Sequence, residues 1–141
     1  MVLAMRFGSA LVGLLTVALA APVVAGERGS KKPRLDVRAS PRMTLMPVDI
    51  VVVAELVGGD DIEDYYCPAV DWEWGDGGRS AHEADCPPFQ PGMALTRRHS
   101  ATHAYRQAGE YNVRVTLRRV GRPLAAASTT VTIGRAPSGG W

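Results

Sequence analysis

The sequence predicts an all-β chain folded as an antiparallel β-sandwich of about seven strands, and three observations predict it. Apolar residues recur at every second position in five separate runs, the period of a half-buried strand. Those runs are rich in β-branched and aromatic residues, and clusters of glycine, proline and aspartate separate them. Beyond residue 25 no stretch carries a convincing 3.6-residue period, and 15 glycines and 10 prolines among 141 residues leave little room for long helices. A chain of this length, 46% hydrophobic and 21% charged, suits one globular domain. The net charge of +2 is close to balance and suggests no nucleic-acid partner. The composition also excludes a collagen, a coiled coil and a multi-span membrane protein.

Taken in order, the chain begins with an address. Arg6 is the only charge before Glu27, and an apolar run from Phe7 ends in small residues, the pattern of a secretory signal peptide. Val23-Val24-Ala25 places cleavage after Ala25, with Ala18-Leu19-Ala20 a second site. An uncleaved anchor helix is the alternative, which Gly8, Gly13 and Pro22 weaken. The expected organisation is a signal peptide over 1–25, a flexible lead-in over 26–33, a sandwich over 34–134 and a tail over 135–141, with no membrane span once the signal is removed.

Leu35, Val37 and Ala39 alternate with Asp36 and Arg38 in the first strand. The next run carries one row of Val48, Ile50, Val52, Ala54 and Leu56 and an opposite row of Asp49, Val51, Val53, Glu55 and Val57. Because it is apolar on both faces, Val51 and Val53 are expected to lie under an inserted loop or a partner. Val70, Trp72 and Trp74 share a third row, Tyr111, Val113, Val115 and Leu117 a fourth, and Thr129, Val131 and Ile133 a fifth. Turns are expected at Gly58–Asp61, Gly75–Gly78, Pro91-Gly92, Ala108-Gly109 and Gly121–Pro123.

Two of these segments carry a resemblance. Val70-Asp71-Trp72-Glu73-Trp74-Gly75-Asp76-Gly77 resembles one signature of PKD (polycystic kidney disease) domains, and His103-Ala104-Tyr105 followed by Gly109-Glu110-Tyr111-Asn112-Val113-Arg114-Val115 resembles the second. The resemblance spans roughly Pro33 to Gly134 and implies an immunoglobulin-like β-sandwich of extracellular location. It implies that Trp72, Trp74, Gly75, Asp76, Gly77, His103, Tyr105, Gly109 and Tyr111 are fold residues. Trp72 and Trp74 are expected to enter the gap between the sheets, and Tyr111 to form a tyrosine corner whose phenol bonds backbone across the sandwich. The chain departs from the family at Cys67 and in the long segment Gly78–Thr102, which reads as a loop or irregular edge holding Cys86-Pro87-Pro88 and Pro91.

Cys67 and Cys86 are the only cysteines, and in an exported chain they are expected to form a disulfide. The rival reading makes Cys67, His82, Cys86 and His99 zinc ligands, but the spacing is not that of a zinc motif. Acids crowd one region: Glu55, Asp60, Asp61, Glu63, Asp64, Asp71, Glu73, Asp76, Glu83 and Asp85 are ten of the fourteen. Eight arginines and a single acid follow from residue 87 onward. Asp60, Asp61 and Asp64 on a glycine-rich loop are candidate calcium ligands, although the spacing is not that of an EF-hand. Arg114 and Arg118 form a basic stripe, read as a charged sheet face or as a contact for an anionic partner.

No nucleophile elbow, phosphate loop or dinucleotide fingerprint occurs, so no enzyme is expected. The expectation is a secreted or periplasmic, non-catalytic recognition or structural module that contacts a protein or a polysaccharide and needs no cofactor. Loops around 58–66 and 77–92 are the expected contact surface. The alternatives are a calcium-stabilised adhesion fragment and a small hydrolase using Asp71, Glu73 and Asp76.

Overall fold

A computed structural model describes residues 29–139. The signal peptide expected over 1–25 and the first part of the lead-in lie outside the described residues, as does Trp141. Eight strands build the domain: β1 (Arg34–Ser40), β2 (Met43–Leu45), β3 (Asp49–Val57), β4 (Ala69–Glu73), β5 (Arg79–His82), β6 (Arg98–Ala104), β7 (Gly109–Arg119) and β8 (Arg122–Gly134). A single 3-10 turn, Glu63–Tyr65, lies between β3 and β4. The strands form two sheets, one in the order β1-β3-β6 and one in the order β2-β8-β7-β4-β5. Among the described residues no helix is long and apolar enough to cross a membrane.

The inward rows read from the sequence are the core. Ile50, Val52, Ala54 and Leu56 of β3 meet Val113, Val115 and Leu117 of β7 and Val131 and Ile133 of β8, and all are buried. Leu35, Val37 and Ala39 close the layer from β1. β-branched side chains dominate these rows because they pack well on a pleated surface at little conformational cost.

Four features differ from the sequence expectation. The segment 78–102 is not one loop, because it contains β5 and most of β6, and only 83–97 is irregular. The inward row of β6 is His99, Ala101 and His103, which hides the strand from a hydrophobic pattern, and β5 is exposed throughout. β2 pairs with β8 in parallel, so the sandwich is not wholly antiparallel. On the outer face of β3 the inserted loop does not provide the expected cover, and Val51 is 39% exposed within the chain. The inserted loop cannot reach Val51 because a bridge from Cys86 to Cys67 and the pairing of Leu56 N with Arg97 O hold it at the end of the sandwich.

The fourth difference lies at the tip of the β7–β8 hairpin. The expected Gly121–Pro123 turn is a two-residue turn, Val120-Gly121, and β8 already begins at Arg122. Pro123 is tolerated inside β8 because the register shifts opposite it, between Leu117 and Arg118. Both turn residues have positive φ, 50° at Val120 and 73° at Gly121, the geometry that favours Asn-Gly. A β-branched residue is strained there, and Val120 is 97% exposed, so its side chain gains no packing in return. Val120→Asn is therefore expected to stabilise the domain by about 1 kcal/mol, read as a rise in the urea midpoint at unchanged slope.

Candidate functional site

The signature residues assemble at one end of the sandwich into a continuous stack of rings. Trp72 lies on β4, and Trp74 sits just past its end, with both indoles buried. Their rings stack at 5.8 Å and 8°, and Trp74 stacks in turn on His103 of β6 at 4.6 Å and 7°. His103 meets Tyr105 edge-on, and Tyr105 stacks on Tyr111 of β7 at 4.1 Å. The stack thus ties β4, β6 and β7 together across the two sheets.

The polar atoms of that stack tie it to the strands and turns around it. Trp74 Nε1 donates to Ser80 Oγ at 2.9 Å. The phenol that crosses the sandwich is Tyr105, whose hydroxyl donates to Trp74 O at 2.7 Å. Tyr111 instead donates to Gln107 O, four residues upstream, so its bond pins the local turn and does not cross the sandwich. Burial pushes the Tyr105 phenol up to about 12, with the Asp76 charge adding to the effect, so it stays a donor at physiological pH. Gly75 has φ of +83°, and a Cβ there would meet Asn112 O at 2.7 Å, which explains glycine at this corner. Gly109 lies against the Tyr111 ring, and a Cβ there would meet Cζ at 3.4 Å.

Asp76 anchors the stack electrostatically. One carboxylate oxygen meets His103 Nε2 at 2.7 Å, and the other accepts the Gly78 N–H at 2.8 Å. Burial pushes this carboxyl up, but the bonds from His103 and Gly78 and the His103 charge outweigh it, leaving it below the ordinary carboxylate range. A depressed folded pKa contributes stability above the unfolded aspartate value of about 3.9, and that contribution is lost as pH falls through the folded value. Asp76→Asn is expected to cost about 1–3 kcal/mol at neutral pH and to flatten the acid limb of a pH series of urea melts. Among the described residues His103 and Asp76 border a cleft with Arg106, Gln107 and Tyr111 but with no serine, threonine or cysteine lining it.

The opposite end carries the larger concavity. Tyr66 and Cys67 before β4, residues 83–89 of the irregular segment and the β7–β8 tip gather there around a cleft of about 490 Å³. The Cys67–Cys86 disulfide holds its wall, as the sequence reading expects. Tyr66 donates to Pro87 O at 2.8 Å and packs its ring on Phe89, with centroids 5.3 Å apart. Glu83, Asp85, Arg118 and Arg119 supply charge around these rings. Of the two loops expected to make contacts, 58–66 belongs to this end, whereas the second is split. Gly77 and Gly78 sit at the aromatic-stack end, and only the part beyond His82 joins the cleft. Phe89 and Val120 were not legible as site residues, because neither lies in a motif and only the topology brings them together.

The remaining candidates are placed as follows. Asp60 accepts the Lys31 N–H at 2.7 Å, and Asp61 pairs with Arg97 at 2.7 Å, while Asp64 lies on the exposed 3-10 turn. Among the described residues no three His, Cys, Asp or Glu side chains are grouped to hold a metal ion. Because Cys67 and Cys86 are joined to each other, neither offers a thiolate to a zinc site. The charge segregation of the sequence is partly offset by pairing in space. Arg118 holds Asp71 with two bonds, Arg119 bonds Glu63, and Arg79 pairs with Glu73 at 3.1 Å. The Arg118 bond and charge keep the Asp71 carboxyl below its usual range against the opposing effect of burial. Arg114 stands directly across from Glu73 in the β4–β7 register, so the outward stripe of β7 is a mixed-sign sheet face.

No family model matches the chain, and no curated protein matches it. Among solved structures it is similar to the PKD domain of an M14-like peptidase from a Thermoplasmatales archaeon. That match has 17% identity and a TM-score of 0.53, and covers 75% of this chain and 99% of that domain. It is also similar to the CARDB domain of a Pyrococcus furiosus protein solved with di-metal ions. Identity there is 11% and the TM-score 0.46, over 75% of this chain and 97% of that one. The first likeness concerns the fold, and the fold of this chain is the immunoglobulin-like β-sandwich of a PKD-type domain.

Proposed function

We propose that this PKD-type sandwich is an exported, non-catalytic recognition module that contacts a protein or a polysaccharide at the cell envelope or outside the cell. The observation that carries the reading is the disulfide-clamped end cleft, where Tyr66, Phe89 and charged side chains line a concavity of about 490 Å³ on a rigid scaffold. Pockets that combine aromatic surface with a few polar groups, held on loops by a fixed frame, are how such folds bind. The disulfide fits an oxidising compartment, and the apolar start of the sequence fits export.

The test is affinity capture from cell-envelope proteins and from purified envelope polysaccharides with the oxidised protein, run beside Phe89→Ala. Retention by the wild type that Phe89→Ala weakens at least tenfold supports the reading. Equal retention by both, or turnover of a retained polymer, overturns it.

The module takes no cofactor in this reading, since two of the three calcium candidates are engaged by Lys31 and Arg97. Added calcium or EDTA is expected to leave the melting temperature unchanged, whereas a site filled at 100 times its Kd would stabilise by about 2.7 kcal/mol.

A further inference from the structure

The inward row of β6 carries two histidines in opposite circumstances. His103 meets the Asp76 carboxylate at 2.7 Å. His99, two positions along the same row from Ala101, has a buried Nε2 with no hydrogen-bond partner. It lies at the open seam of the sandwich, where β6 edges one sheet and β5, next to β4, edges the other. A cavity of about 300 Å³ there is lined by Val70, Trp72, His82, Thr96, Arg98 and Ser100 around His99.

The groups that face His99 determine what a proton would meet. β4 offers Val70 and Trp72, which do not titrate, and the approach to β6 offers Thr96. β5 offers the His82 imidazole and the strand itself the Arg98 guanidinium, neither of them an acid. Among the described residues no carboxylate lines this cavity. A proton on His99 therefore creates a half-buried cation with like charges beside it and no counter-ion, which is costly.

We propose that this seam is a proton-operated latch: neutral His99 seats β6 against β4 and β5, and its protonation at mildly acidic pH loosens that edge of the sandwich. Burial holds His99 below its ordinary value, and the His82 charge acts the same way, against a bond that the imidazole donates to the Thr96 backbone. The unfolded chain then takes up the proton first, near pH 6.5. Stability is complete above that pH and falls as pH drops through it toward the folded value. β5 runs directly into the segment that walls the end cleft, so loosening begins beside that wall. The latch does not depend on the recognition reading, since it is measured on the protein without a partner.

The test is urea unfolding of the oxidised protein from pH 8 to pH 5, with His99→Phe and His103→Gln alongside. The wild-type unfolding constant is expected to rise below pH 6.5 by at most about tenfold per pH unit, the limit for one proton. His99→Phe should remove that rise, and His103→Gln should leave it in place. An unchanged rise in His99→Phe overturns the proposal. Should His99→Phe fail to fold, proton NMR titration of the wild type decides: a His99 midpoint below the unfolded histidine value supports the latch, and one at or above it overturns the latch.

Discussion

Replacing Trp74 by alanine is expected to lower the unfolding free energy by about 3–5 kcal/mol, the largest single effect in this chain. Trp74 is among the largest fully buried side chains, and it meets three other members of the aromatic cluster, Trp72, His103 and Tyr105. Its ring is stacked between Trp72 and His103, its Nε1 holds Ser80, and its carbonyl accepts the Tyr105 hydroxyl. Truncation removes a stack linking two sheets and leaves the Ser80 hydroxyl without its indole donor, so the cost exceeds that of an aliphatic of equal area. Urea denaturation followed by circular dichroism measures the difference. Trp74→Phe separates its causes, because it keeps a ring in the stack but loses the bond to Ser80. A cost near that of alanine would mean that the hydrogen bond dominates, and a small one that stacking does.

Removing the disulfide is the second large change. The Cys67→Ser, Cys86→Ser double variant is expected to lose about 3 kcal/mol, since the bridge joins residues 19 apart and constrains the unfolded chain. It also holds the segment 83–97 over the end of the sandwich, where β5 alone gives that segment little purchase. The loss should therefore be uneven. Amide exchange is expected to rise first around Cys86 and Phe89, while the buried strands β3 and β7 keep their protection. Two reactive thiols in the purified protein would remove the premise, because the bond would not have formed.

The residues differ in how openly they announce themselves. Strands β1, β3, β4, β7 and the second half of β8 are legible because half-burial imposes a period of two on their side chains. The disulfide is legible from the cysteine count and the expectation of export. β6 is not, since its inward positions are His99, Ala101 and His103, and the strand is held by pairing with β3 more than by its own apolar surface. β5 is exposed on both faces and exists because β4 offers an open edge to pair with. The roles of Tyr105 and Tyr111 show a subtler limit. Both belong to one signature, but which phenol crosses the sandwich depends on where Trp74 O lies, and the chain places that atom 31 residues away.

By itself the sequence determined the all-β class, the inward rows, the buried tryptophans and the cysteine pair. Each follows from local chemistry: side-chain alternation, bulk, and an even number of thiols behind an apolar start that reads as an export signal. Only the tertiary structure decided which charges meet, which loops share an end, and which histidine has an acid beside it. Those are matters of strand order. Laying β4 beside β7 brings Asp71 to Arg118 from 47 residues away and turns a segregated charge pattern into pairs. Placing β6 at an open edge gives His103 a carboxylate and leaves His99 with none. Contacts between residues distant in sequence are set by how sheets stack and where their edges fall, which no local pattern encodes.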